Sequence, residues 1–204
     1  TPVQRVDPRP DGLTLALPEG PADFDQCLAT MSPELLARLA PSLPSDYLKG
    51  LLALKAMGGV NLILAISQRL SEGGTYWHNL PKSAGFPFLA LVEHTNVGSS
   101  EFFGGDHLIY CGDYLDPGHE YFRLSKDELL ARFLPSLVRF NPKFTPDWVR
   151  ETWLFRTPYA QPVPLLHQSR VIPDTRTPMP GLWFASMSQV YPWDRGTNFA
   201  VEIA

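Results

Sequence analysis

The chain has only two cysteines, Cys27 and Cys111, among its 204 residues. That is too few for a disulfide framework or a four-ligand zinc site. Both lie in apolar, strand-like runs, so they read as buried free thiols in a reducing, cytoplasmic compartment. Charge is sparse: Asp, Glu, Lys and Arg make up 19% of the chain, and the formal net charge is −4. No run of Lys and Arg supplies the basic footprint that a nucleic-acid partner requires. The longest apolar stretch, Val60 to Ile66 broken by Asn61, falls far short of a membrane span. No signal peptide opens the chain, and residue 1 is Thr rather than Met.

Several catalytic signatures are missing too. There is no G-x-x-x-x-G-K-[ST] phosphate loop, no H-E-x-x-H, no G-x-S-x-G elbow and no G-x-G-x-x-G after a first strand. The five histidines, His78, His94, His107, His119 and His167, lack the i, i+4 or H-x-H spacing of a metal site. His94 and His107 each fall at a strand end, where one cavity could receive both. A lone histidine in such a place is more often a satisfied hydrogen-bonding residue.

What the chain does have is a hydrophobic fraction of 44%, enough for a substantial core. Its 21 Pro and 15 Gly are spread along the length. Short elements with tight connections follow from that. Val3 to Val6 and Leu13 to Leu17 form a hairpin about Asp11-Gly12, and Phe24 to Thr30 is a third strand. Ser32-Pro33 opens a short helix to Leu39. Ser45 caps a second helix that Gly58-Gly59 stops near Met57. Val60 to Ile66, Phe88 to His94, Leu108 to Cys111 and Trp153 to Phe155 read as strands.

Ser125-Lys126-Asp127-Glu128 is a capping box before the stripe Leu129, Leu130, Phe133, Leu134, Leu137 and Val138, the clearest helix in the sequence. Asp113, Tyr114 and Asp116 read as a solvated turn. A final strand, Leu182 to Ala185, leads through a polar loop to a helix beginning near Gly196. The fold class is α+β with mixed sheets. Residues 1–40 and 178–204 belong to one domain, and 41–177 are an insertion, because the closing strand and helix are too short to stand alone.

The closing segment carries the strongest chemical signal. Gly196 leaves room for close approach to the backbone, unpaired helix-start amides favour negative charge, and Arg195 adds a fixed cation. An anionic or electron-accepting ligand would suit that arrangement, and so would an ordinary capped terminal helix. On the substrate side, His94, Asn96, His107 and Tyr110 lie on two neighbouring strand ends. Arg156, Tyr159 and Gln161 share a Pro-interrupted loop. Trp153, Phe155 and Tyr159 would form an apolar wall with Arg156 as its one charge, or Arg156 would serve a structural ion pair.

The run Ser188-Gln189-Val190-Tyr191-Pro192-Trp193-Asp194-Arg195-Gly196-Thr197-Asn198 resembles the closing flavin-binding motif of the FAD-dependent amine oxidase-like superfamily. That superfamily includes protoporphyrinogen oxidases and UDP-galactopyranose mutases. Val3 to Val6 with Asp11 to Leu15, and Phe24 to Thr30 with Ser32-Pro33, resemble its adenosine-side hairpin and returning strand. Val92 to Asn96, Gly104 to Leu108 and Trp153 to Pro162 resemble segments of its substrate domain.

The resemblance implies FAD as cofactor, with the backbone of Val3 on the adenine side and Thr30 near the adenosine-diphosphate portion. It sets the amides of Gly196, Thr197 and Asn198 against the pyrimidine edge of the flavin. Ala185 and Ser186 stand where many relatives carry Gly followed by Glu or Asp. The family's N-terminal glycine-rich βαβ unit is not in the sequence, so an FAD-binding N-terminal half is expected as partner and this chain alone is expected to bind FAD weakly or not at all. Hydride transfer between a small-molecule substrate and flavin is the implied reaction. A sugar-nucleotide mutase-like isomerase and a non-catalytic substrate-binding fragment are the alternatives. No catalytic residue is assigned.

Overall fold

The computed structural model describes residues 1–203; Ala204, at the end of the expected closing segment 178–204, lies outside the described residues. The opening stretch contains β1 (Arg5–Arg9), β2 (Gly12–Leu17), β3 (Gly20–Phe24), β4 (Cys27–Ala29), α1 (Pro33–Leu39) and α2 (Ser45–Ala53). The middle contains β5 (Lys55–Ile66), β6 (Trp77–Asn79), β7 (Ala90–Glu93), β8 (His107–Leu115), α3 (Lys126–Phe133) and β9 (Val149–Val163). The end supplies β10 (Leu182–Phe184) and α4 (Thr197–Ile203). This is an α+β fold with several sheets. No helix among the described residues is long and apolar enough to cross a membrane.

Two compact units result. One comprises residues 1–56 and those from 162 onward, the other residues 57–161. These joints lie inward of the 40/41 and 177/178 boundaries read from the sequence, because Leu43 and Leu51 bury in the first unit's core with Leu36, Leu182 and Phe184.

In the first unit β1, β2 and β3 make an antiparallel meander, with Arg9 opposite Gly12 at the hairpin. Gly12 has φ +146°, and a Cβ there would sit 2.3 Å from the Phe24 carbonyl oxygen, so only glycine closes this turn without strain. The single strand expected over Phe24 to Thr30 is two. Exposed Asp25 and Gln26 break it, β3 stays with the meander, and β4 pairs in parallel with β10. Helix α1 begins as its sequence dictates: Ser32 Oγ accepts from the Leu35 N–H at 3.3 Å, and Pro33 occupies the first turn. Helix α2 departs from expectation at both ends. Pro44, not Ser45, is its cap, and the chain is extended from Leu54. Gly58 and Gly59 therefore lie inside β5 rather than ending a helix.

The second unit is a five-stranded sheet in the order β6-β7-β8-β5-β9. Alternation along β5 buries Val60, Leu62, Leu64 and Ile66 on one face, where Ile109, Cys111 and Leu91 join them. That face is covered by α3 and a 3-10 continuation, Leu134–Arg139, through Leu129, Phe133 and Leu137. The opposite face of the same sheet carries the site described next.

Candidate functional site

In the first unit, the parallel pairing of β4 and β10 aligns Cys27 with Leu182, Leu28 with Trp183 and Ala29 with Phe184. The ladder extends one step further, the Ala185 N–H donating to the Ala29 carbonyl at 2.9 Å. Thr30 and Ser186 therefore emerge side by side at the carboxyl ends of two parallel strands. In open α/β sheets that end is where ligands bind. Thr30 is exposed, while Ala185 and Ser186 are buried. Ser186 is locally committed: its N–H donates to Gln189 Oε1 at 2.7 Å, and its Oγ lies 2.6 Å from Ser188 Oγ.

Val3 precedes β1 and packs against this unit's core. The closing helix α4 buries none of its residues. Beside it, the ring of Trp193 stacks on Phe199 with planes 7° apart. A Cβ at Gly196 would meet Asn198 Oδ1 at 2.6 Å, so a side chain there would push the Asn198 side chain aside. Arg195 lies 3.5 Å from Asp194 Oδ1. First-turn amides, which lack intrahelical acceptors, suit a flat, electron-poor ring as donors.

In the second unit the register of the outer sheet face builds a cavity of about 630 Å³. One row across the strands reads Trp77, Val92, Tyr110, and the next reads Asn79, Ala90, Gly112, Asn61. Tyr114 opposite Gly59 forms a third. Small Ala90 and Gly112 make a trough between the aromatic rows. Tyr76, Phe155 and Thr157 complete the walls. At the rim, the His94 ring packs on Tyr110 and Phe103, with centroids 5.6 and 5.5 Å apart. Asn61 stands on the floor with Oδ1 buried and without a hydrogen-bond partner.

Of the substrate-side residues singled out in the sequence, His94, Tyr110, Phe155 and Arg156 line this cavity, and Trp153 is not in its lining. The Arg156 guanidinium donates to the Phe122 carbonyl at 2.9 Å and also to that of Leu124, so neither of its expected partners, a ligand or an acid, is what holds it. Asn96 donates to Thr75 O and Glu93 Oε2, at 2.9 and 3.0 Å. His107 shares the core face with Ile66 and lies 3.4 Å from Thr95 Oγ1. Burial and the nearby Arg69 charge lower its pKa. His94 and His107 thus stand on opposite faces. Tyr159 and Gln161 fall outside the cavity lining, and the Tyr159 hydroxyl is buried without a partner.

Asp113 and Tyr114 are not in a solvated turn but in β8, where burial raises the Asp113 pKa. Both cysteines are free thiols; Cys111 is buried and Cys27 part-buried, and burial pushes both pKa values up. Sequence reasoning missed Asn61, Tyr76, Trp77 and Gly112. A polar residue interrupting an otherwise unbroken apolar strand was the one available signal, at Asn61.

Residues 1–192 match the family model of the flavin-containing amine oxidoreductases. The match stops short of Arg195 to Asn198. No curated protein matches the chain. Solved structures share its fold. A proposed protoporphyrinogen oxidase from Exiguobacterium sp. 255-15 is 14% identical with a TM-score of 0.74, over 92% of this chain and 42% of its own. Putrescine oxidase bound to putrescine is 15% identical with a TM-score of 0.67, over 99% and 46%. Reduced UDP-galactopyranose mutase is 12% identical with a TM-score of 0.66, over 84% and 36%. The chain spans less than half the length of each of these structures.

Proposed function

The chain belongs to the flavin-containing amine oxidoreductases, an FAD family, and from that premise we infer that it is the part of an FAD-dependent oxidoreductase that holds the flavin end of the cofactor and the substrate. The reading is carried by the parallel pair β4–β10, which brings Thr30 and Ala185-Ser186 to one carboxyl edge from opposite ends of the sequence. A parallel pair is rarely left bare, yet Leu28 on β4 is 54% exposed. That exposed face is what helices of an N-terminal FAD-binding half would cover.

When bound, FAD supplies the ring that accepts hydride from a substrate carbon. This chain's residues do the rest. Gly196, Thr197 and Asn198 present amides to the ring, with Arg195 beside them, and Val3 and Thr30 hold the adenosine diphosphate side. Donors fixed in advance stabilise negative charge as it builds. Residues 57–161 act as the substrate domain, where the aromatic trough orients a small molecule and excludes water. His94, Tyr110 and Arg156 line it, while Asn96, His107, Tyr159 and Gln161 support its framework.

A mutase-like isomerase would need arginines free for a sugar-nucleotide diphosphate, and Arg156 spends its guanidinium on two carbonyls. Hydride transfer is the better supported chemistry. Titrating FAD into the purified chain, followed by flavin fluorescence, tests the cofactor assignment. Weak saturable binding is expected, reduced at least severalfold by Gly196→Val with unchanged circular dichroism. Identical binding by Gly196→Val and wild type would remove α4 from the site.

A further inference from the structure

We propose that the trough on the second unit selects a flat, uncharged molecule carrying a carbonyl oxygen, and that the Asn61 amide nitrogen donates to that oxygen. The inference rests on the reading of this cavity as the substrate site and adds its substrate class. The floor is built of Ala90 and Gly112, whose minimal or missing side chains leave a slot bounded by Trp77 and Tyr110 on one side and Tyr114 and Phe155 on the other. Such walls favour a planar apolar ligand through stacking and burial.

The charged residues of the cavity lining are Asp113 and Arg156. Asp113 is in register with core residue Val60, so strand alternation sends it to the other face. Two nitrogens of the Arg156 guanidinium donate to the Phe122 and Leu124 carbonyls, and its Nε is buried without a partner. That leaves Asn61 as the polar side chain on the floor. Its Oδ1 is turned inward, buried, and accepts from nothing. Gly112 lies beside it: a Cβ added there would be 3.5 Å from Oδ1. Only the nitrogen end of the amide therefore meets the slot, and a nitrogen end donates. A ligand carbonyl is the matching acceptor, whereas an ammonium would meet a donor and no carboxylate.

Three bicyclic probes of similar size separate the possibilities: 1-indanone, which has the carbonyl; indane, which lacks it; and 2-aminoindane, which is cationic at neutral pH. Their affinities for the 204-residue chain are read by ligand-observed NMR, without any need for the cofactor. Indanone is expected to bind about five- to tenfold tighter than indane, the range of one neutral hydrogen bond, and 2-aminoindane weaker than both. Asn61→Leu should bring indanone to the affinity of indane. Gly112→Val, which fills the slot, should weaken all three.

Equal binding of indanone and indane, with Gly112→Val still blocking both, overturns the role of Asn61 while leaving the cavity as the site. Preference for the ammonium overturns the substrate class. Binding untouched by Gly112→Val overturns the cavity itself. If Asn61→Leu does not fold, as judged by circular dichroism, Asn61→Ala serves instead: its methyl group cannot donate, and indanone must lose its advantage.

Discussion

Glu93 is a charged residue only 2% exposed, on the core face of β7. Burying a carboxylate is expensive unless donors surround it. Here the Ser71 N–H and Asn96 Nδ2 donate to Oε2, each at 3.0 Å, and His78 Nε2 lies 2.9 Å from Oε1. One side chain thus ties edge strand β6, the segment at Ser71 and the 3-10 turn His94–Asn96 to the sheet. Two residues of the cavity, Trp77 and His94, are neighbours of these tethered positions in sequence. Glu93→Gln would turn an amide NH2 toward a group of donors. A loss of about 2–3 kcal/mol is expected, the value of hydrogen bonds to a charged group, measured by urea unfolding with tryptophan fluorescence. A change below about 0.5 kcal/mol, the ordinary scatter of surface substitutions, would mean that the network contributes nothing net.

Among the elements, α3 is the one whose local sequence most completely specifies it. Ser125 Oγ accepts from the Glu128 N–H at 3.2 Å, and Glu128 Oε2 accepts back from the Ser125 N–H at 2.7 Å. Those hydrogen bonds lower the Glu128 pKa, so the box strengthens above the ordinary carboxylate range and is lost as pH falls through the folded value. Ser125→Ala is expected to lower stability by about 1 kcal/mol at pH 7, with the difference from wild type shrinking in acid. A difference independent of pH in thermal melts would show that Glu128 takes no part. Such capping is readable in sequence because cap, box and stripe lie within one stretch of chain; α1 was legible for the same reason. Where partners are distant, sequence fails. The split of Phe24 to Thr30 depends on β10, far along the chain. Gly58 and Gly59 imitate a helix stop, yet they are glycines because a Cβ at Gly58 would lie 2.4 Å from Phe122 Cζ and one at Gly59 would lie 3.0 Å from Ala160 Cβ. The small residues of the slot were invisible too, since neither Gly112 nor Ala90 has meaning until the register sets them beside Asn61.

At the scale of the whole chain, the middle segment contains all that a domain requires. Its core runs from Val60 through Leu64, Ile109, Phe133 and Leu137 to Trp148, every member drawn from within residues 57–161. From the sequence, the expectation of an insertion rested on the shortness of the closing strand, which has to join a sheet begun elsewhere. It did not show where the segment can be cut. The sheet does: β5, which opens the segment, and β9, which closes it, are neighbours. The two ends therefore emerge close together, the arrangement that tolerates excision or insertion of a domain. Residues 57–161 expressed alone are expected to unfold in one cooperative transition with a calorimetric enthalpy of about 60–80 kcal/mol. They should also bind 1-indanone as the full chain does, since the trough lies within this segment. A segment with helix and strand signals in the far ultraviolet but no cooperative melt would show that this core depends on the first unit to pack. The division of labour proposed between a cofactor-holding unit and a substrate-holding one would then lose its physical basis.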